Sequence, residues 1–183
     1  MKGHTDERET SIFTIGHSTR PIAEFIEIIG AFGIKQVVDI RTIPKSRHNP
    51  QFNGDELRES LRAAGIRYLH MKGLGGLRHP QKDSPNTAWR NASFRGFADY
   101  MQTEEFEDSI GKLVKEAGKQ KTVIMCAEAV PWRCHRSLVG DALLIRGVAV
   151  THIMGMNSGR EHALTRWAKV EGRKITYPGT AGE

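Results

Sequence analysis

Short apolar runs alternate with segments of helical periodicity along almost the whole chain, and no other feature constrains the fold as much. Residues 11–15, 36–40, 67–70, 122–126 and 148–153 are brief, largely apolar and bounded by turn residues, the pattern of buried strands. Between them, Ile22, Phe25, Ile26, Ile29 and Phe32 recur at helical spacing behind Pro21 and stop at Gly33. Leu57, Leu61 and Ala64 follow Asn53, a cap with Glu56 three residues on. Residues 94–101 read as helical, and Thr103 caps a further helix whose buried stripe is Phe106, Ile110, Leu113, Val114 and Ala117. A helix is expected over 133–146 and a last one over 160–170, carrying Leu164 and Trp167. This order predicts an α/β fold, a single three-layer domain of about five mainly parallel strands with helices on both faces, Rossmann-like in the loose sense. Right-handed crossovers then gather every strand-to-helix loop on one sheet edge, where open α/β sheets bind their ligands.

The 183 residues form one domain, expected over 11–171, with a polar N-terminal tail (1–10) and a polar C-terminal tail (172–183). No apolar stretch reaches the length of a membrane span, and the first residues lack the apolar core of a secretion signal, so a cytoplasmic protein is expected. In that setting the two cysteines are expected as thiols, ligands or core residues rather than as a disulfide. A net charge of +6 permits an anionic partner, a small molecule or nucleic acid, without requiring one.

Residue types that carry chemistry concentrate between 126 and 137. Cys126 ends an apolar run, and Glu128, Pro131, Arg133, Cys134, His135 and Arg136 follow within ten residues. A thiol at a strand end facing a helix N-terminus is a candidate nucleophile; a small buried hydrophobe is the alternative. Rhodanese-like and cysteine-phosphatase loops are similar in having a strand, a cysteine, a loop and a helical arginine. Here six residues separate Cys126 from Arg133, one more than in those loops, and Pro131 offers no N–H to an oxyanion. Glu128 would repel phosphate inside such a loop. It reads instead as a general acid or base, as a ligand for a sugar hydroxyl, or as the partner of Arg41, Arg133 or Arg136. A metal site on Cys126, Glu128, Cys134 and His135 is disfavoured by the cysteine spacing of eight, and adjacent helical residues point about 100° apart. No metal ligand and no cofactor is assigned.

Other loops reach the same edge. Asp39 and Arg41 alternate onto one side of their strand, Asp39 as a catalytic or orienting carboxylate and Arg41 as an anion ligand. Gly16, His17 and Ser18 open a helix and, with Ser46 beside Lys45, Arg47 and His48, suggest an anion pocket. Gly75 and Gly76 lie in a long loop, 72–91, and read as a phosphate-contacting flap or as a turn.

Thr14–Ile15–Gly16–His17–Ser18, Asp39–Ile40–Arg41 with Pro44 and Ser46, Tyr68 with Leu74–Gly75–Gly76, Phe97 with Tyr100–Met101, Cys126–Ala127–Glu128 and Cys134–His135–Arg136 occur in this order. Together they resemble the family called domain of unknown function 488, over about residues 12–154. The resemblance implies a fold and a set of site residues and no reaction.

These readings converge on an enzyme acting on a phosphate-bearing substrate, a nucleotide or nucleic acid. Cys126, Glu128, Asp39 and His135 are the candidate catalytic residues. Gly16, His17, Ser18, Arg41, Ser46, Gly75, Gly76, Arg133 and Arg136 are the candidate substrate ligands. A non-catalytic nucleotide- or nucleic-acid-binding module and a metal-dependent hydrolase are the alternatives.

Overall fold

A computed structural model describes residues 10–180. The N-terminal tail expected over 1–10 therefore lies almost wholly outside the described residues. Among the described residues, eight strands and five α-helices run in the order β1 (Ser11–Gly16), α1 (Ile22–Ala31), β2 (Gln36–Asp39), α2 (Gly54–Ala63), β3 (Arg67–His70), α3 (Ala92–Tyr100), α4 (Glu104–Ala117), β4 (Thr122–Cys126), α5 (Arg136–Leu144), β5 (Ala149–Gly155), β6 (Ser158–Glu161), β7 (Lys169–Glu171) and β8 (Lys174–Thr176). The main sheet has the order β3-β2-β4-β1-β5-β6. The first five strands of that row are parallel, and β6 pairs antiparallel to β5. The expected α/β architecture is thus present, with an added antiparallel edge strand.

The sheet divides the core into two layers, as period-two alternation requires. Ile15, Val37, Val123 and Met125 pack against Phe25, Ile28 and Ile29 of α1 and Leu57 and Leu61 of α2. Their immediate neighbours Val38, Ile124 and Cys126 face the other way, onto Phe97 of α3, Phe106, Ile110 and Leu113 of α4 and Leu138 and Val139 of α5. Both faces are covered, which is why every residue of β2 and β4 is buried.

Helix starts follow local chemistry. Thr103 caps α4 by accepting from the Phe106 N–H, as its sequence position suggests. Asn91 caps α3 in the same way, accepting from the Ser93 and Phe94 N–H groups. Asn53 does not cap α2; its Oδ1 accepts the Ser46 N–H at 2.7 Å and closes the preceding loop instead. The long loop 72–91 is ordered from beneath by buried Asp99, which accepts from the Gln81 N–H, the Ser84 hydroxyl and the Asn86 amide.

The C-terminal expectations are corrected. No helix covers 160–170. The chain turns back at Asn157, whose φ of 53° suits a tight hairpin, and β6 adds to the sheet edge. Leu164 and Trp167 match helical spacing by coincidence, and both are exposed. Nor are residues 172–180 a free tail. β7 and β8 form a hairpin, and Ile175 and Tyr177 are buried in the core under α3 and α5. The domain thus extends past residue 171. Residues 181–183 lie outside the described residues.

Candidate functional site

A cavity of about 420 Å³ opens at the carboxyl end of the parallel strands, within the range of small-molecule sites. Its lining comes from three chain segments: Arg41 to Lys45 after β2, Gly76 to Phe94 in the long loop and the first turn of α3, and Cys126 to His135 from the end of β4 to the start of α5. The expected gathering of chemistry-bearing loops on one edge is therefore met. Which groups are free to act there is a separate question, and it turns on the sheet's two faces.

On the α1–α2 face, Asp39 and Arg41 consume each other. Arg41 donates through Nε to Oδ1 of Asp39 at 2.9 Å and through Nη2 to Oδ2 at 2.7 Å, and its backbone N–H also reaches Oδ1. The Tyr68 hydroxyl donates to Asp39 Oδ2 at 2.6 Å, and Arg41 Nη2 also donates to the Phe52 carbonyl. Asp39 is fully buried and Arg41 nearly so. Burial, then the Asp39 charge, push the Tyr68 hydroxyl well above its ordinary range, so it stays a donor. This closed network leaves Asp39 no acceptor capacity for a substrate and Arg41 little donor capacity for an anion.

His17 belongs to the same network. Its ring stacks on Phe52 with centroids 4.3 Å apart, and Nδ1 donates to the Ser18 carbonyl at 2.7 Å. The bare Nε2 then faces Arg41 Nη1 at 3.4 Å. Burial, foremost, with the Arg41 charge, lowers its pKa to about 4, so His17 is neutral and unsuited to hold an anion. The backbone N–H groups of His17 and Ser18 are taken by the Cys126 and Ala127 carbonyls at 2.8 and 3.0 Å. Gly16 serves close packing: a Cβ there would lie 1.6 Å from the Glu128 carbonyl oxygen. The expected anion pocket at Gly16–Ser18 is therefore a structural splice between β1 and the β4 loop. Ser46 likewise closes a turn, accepting the Asn49 N–H, and does not line the cavity.

On the opposite face lies an arrangement the spacing argument did not foresee. Residues 131–133 form one 3-10 turn, Cys134 is extended (φ −135°, ψ 150°), and α5 begins only at Arg136. Cys134 and His135 thus precede the helix, and the 100° separation of adjacent helical residues does not apply to them. The Cys134 sulfur sits 2.6 Å from that of Cys126 and 3.5 Å from Nδ1 of His135, and the Arg136 backbone N–H points at it from 3.5 Å.

His135 has a defined tautomer. Its Nε2 lies 3.1 Å from the Ile40 carbonyl and 2.9 Å from the Leu74 carbonyl, two acceptors, so Nε2 carries the proton and donates. Nδ1 then offers its lone pair to Cys134. Gly76 makes this possible, because a Cβ there would stand 2.6 Å from Nδ1; Gly75 similarly lets the loop press on Thr42. The two glycines seat a loop on His135 and Thr42 and present no phosphate cradle of their own.

Arg136 is fully buried, and its guanidinium meets no carboxylate among the described residues. It donates through Nη2 to the Glu128 carbonyl at 2.9 Å and the Ala129 carbonyl at 3.4 Å, and through Nη1 to Thr14 Oγ1 at 3.3 Å, while Nε has no partner. It clamps the β4 loop from behind. Burial alone would push the Cys134 thiol up, but His135 Nδ1 takes its proton and donates it back to the thiolate, and this bond, the bond from Cys126 and the charges of His135 and Arg136 outweigh burial and bring Cys134 well below the ordinary thiol range. Burial, then the charge-sharing bond to Cys134, drives Cys126 the other way. The pair therefore carries its negative charge on Cys134 and its proton on Cys126, whose sulfur also lies 3.7 Å from the Glu128 carbonyl. Cys134, weighed from the sequence only as a metal ligand, is thus the thiol of the pair that is held low.

Glu128, Arg133 and Lys45 line the mouth. All three are exposed, and none of their charged groups pairs with another described residue. Glu128 is thus not the buried, paired carboxylate its position after a strand suggested; only its carbonyl enters the clamp. Among the described residues no three His, Cys, Asp or Glu side chains come together to hold a metal ion. Among the described residues no helix is long and apolar enough to cross a membrane.

No curated protein and no solved structure matches the chain. One family does, over residues 21–143, a segment that holds Asp39, Arg41, Gly75, Gly76 and the whole β4 loop through Arg136, but begins after Thr14–Ser18 and ends before β5. The match covers well over half of the 183 residues, and the chain belongs to the family described as Domain of unknown function DUF488.

Proposed function

We propose that this chain is an enzyme acting on a phosphate-bearing substrate, a nucleotide or nucleic acid, in the cavity at the carboxyl edge of the sheet. One observation carries the reading: two cations that pair with no other described residue, Lys45 and Arg133, stand at the mouth of a cavity that also receives the Cys134–His135 pair. Cations without internal partners suit an incoming anion, with Arg133 able to grip phosphate oxygens through its fork. Half-buried Phe94 offers a ring on the same wall for a base to stack on. Cys134 is then the nucleophile, His135 Nδ1 the base that takes its proton, and Glu128 an exposed carboxylate able to relay protons at the mouth. Arg41, Asp39, His17 and Arg136 position these groups rather than touch substrate. A reducing cytoplasm would keep Cys134 available for such work.

The test is a binding and turnover screen of mono-, di- and triphosphate nucleotides and short oligonucleotides. Arg133→Ala and Lys45→Ala are expected to weaken binding of a hit about tenfold or more each, the worth of one charge-assisted contact. Cys134→Ser is expected to keep binding and lose turnover. The reading fails if no member of the panel binds, or if the two cation variants bind as the parent does. Turnover that survives in Cys134→Ser would remove the thiol step, and binding without turnover in the parent would leave a binding module.

A further inference from the structure

We propose that Cys126 and Cys134 are a redox-active dithiol, oxidised to an internal disulfide by a small-molecule disulfide that enters through the cavity, with Cys134 attacking and Cys126 resolving. Three observations converge on it, and none requires the substrate proposed above. The two sulfurs are in contact although eight positions apart, brought together by the β4 loop. Both line the cavity, so a reagent can reach them. Arg136 puts a fully buried positive charge behind them, and its guanidinium meets no carboxylate among the described residues. A buried cation of this kind requires an anion close by, and a Cys134 thiolate supplies one. The low thiol pKa of Cys134 agrees with this placement.

The Cys134 thiolate attacks one sulfur of the small disulfide, forming a mixed disulfide and releasing the first thiolate. His135 Nδ1 passes the proton it took from Cys134 to this thiolate, then takes the Cys126 proton and holds it for the second thiolate. The Cys126 sulfur then displaces the second small thiolate from Cys134. Two electrons pass from the protein to the small disulfide, which leaves as two thiols. Oxidation removes the anion beside Arg136, so the reduced form is the one the fold favours. The disulfide should therefore be readily reversed by reduced glutathione. The guanidinium that loses its counter-charge also holds the Glu128 and Ala129 carbonyls, so the redox state reaches the wall of the cavity.

The full-length chain is equilibrated with oxidised and reduced glutathione at varied ratios, quenched in acid, alkylated and weighed intact. The parent is expected to exchange two alkylatable thiols for one internal disulfide as the ratio rises, and to return when it falls. Cys126→Ser should stop at a glutathione adduct on Cys134, and Cys134→Ser should form none. Alkylation of the reduced parent near neutral pH, mapped by peptide, should label Cys134 about tenfold faster than Cys126, a readout that needs no variant. Two thiols that persist at every ratio overturn the proposal. So does an adduct on Cys126 in Cys134→Ser, or preferential labelling of Cys126 in the parent. A disulfide in a chain that binds no nucleotide removes the proposed function and leaves this inference; nucleotide binding with two permanently free thiols does the reverse.

Discussion

Replacing Asp39 by Asn separates a structural from a catalytic role for the carboxylate that the sequence placed among the catalytic residues. Asp39 receives four hydrogen bonds in the fold: three from Arg41 and one from Tyr68. Asparagine keeps the shape, removes the charge and turns one acceptor into a donor facing Arg41 or Tyr68. Breaking a buried ion pair from one side costs about 3–5 kcal/mol, because the remaining charge stays buried without a partner. A domain of this kind has about 5–15 kcal/mol in total, so much of the stability should go. Urea unfolding followed by circular dichroism measures the change as a shift in midpoint at constant slope. Arg41→Met alone should cost a similar amount. The Asp39→Asn, Arg41→Met double variant should cost clearly less than the two single changes summed, since each removes the other's orphan. A variant Asp39→Asn within about 1 kcal/mol of the parent, yet inactive, would falsify the structural assignment and restore Asp39 to the chemistry.

Acid should unfold the protein early. His17 is held neutral with a pKa of about 4 and His152 with one of about 3, chiefly by burial, against 6.5 for each when free. A lowered histidine pKa stabilises the fold fully above pH 6.5 and loses that contribution as pH falls towards the folded value. His17 alone then accounts for about 3 kcal/mol between pH 6.5 and 4. Urea midpoints across that window should fall steeply in the parent and less in His17→Gln; a flat profile in the parent contradicts the burial argument. Gly76→Ala should fold yet slow the alkylation of Cys134 several-fold, since its Cβ would displace His135 Nδ1; unchanged thiol kinetics would rule out His135 as the base. Ending the chain after residue 172 should destabilise it by about 3–5 kcal/mol, because buried Ile175 and Tyr177 are lost, and a melting temperature within a degree or two of the parent would contradict their place in the core.

The inner strands of the parallel sheet were legible because each is a brief apolar run between turn residues, and burial on both faces demands that composition; β3, Arg67–His70, at the sheet edge, carries the pattern only weakly. That Asp39 and Arg41 share one side of their strand was legible too, from period-two alternation; that they would bind each other and not a substrate was not. The region after β5 was not. Leu164 and Trp167 mimic a helical stripe, whereas the residues that enter the core, Ile175 and Tyr177, sit in a polar stretch with no periodicity around them. Buried Asp141 secures that stretch by accepting from the Tyr177 hydroxyl at 2.7 Å, from His162 and from the Thr165 N–H. These partners are far apart in sequence, and no local pattern announces them. The division of the candidate site between two faces was hidden for a related reason. It depends on strand order, which places β4 between β2 and β1 and is not written in any one strand.

The two arginines of the site illustrate how that division decides function. Arg41 and Arg136 are both buried, and both look from the sequence like anion ligands. Arg41 faces α1 and α2, where Asp39 and Tyr68 complete a neutral, closed network; nothing there is left to bind or react. Arg136 faces the other layer, where its hydrogen bonds go to two backbone carbonyls and a hydroxyl, none of which carries charge. A fold selected only for stability would place a carboxylate beside it or replace it with an apolar residue. What stands beside it instead is a pair of thiols, whose charge depends on pH, on oxidation and on what occupies the cavity. The unbalanced charge at Arg136 is therefore the strongest structural reason to locate reactivity at Cys134 and Cys126, and to treat the better-formed ion pair at Asp39 as its frame.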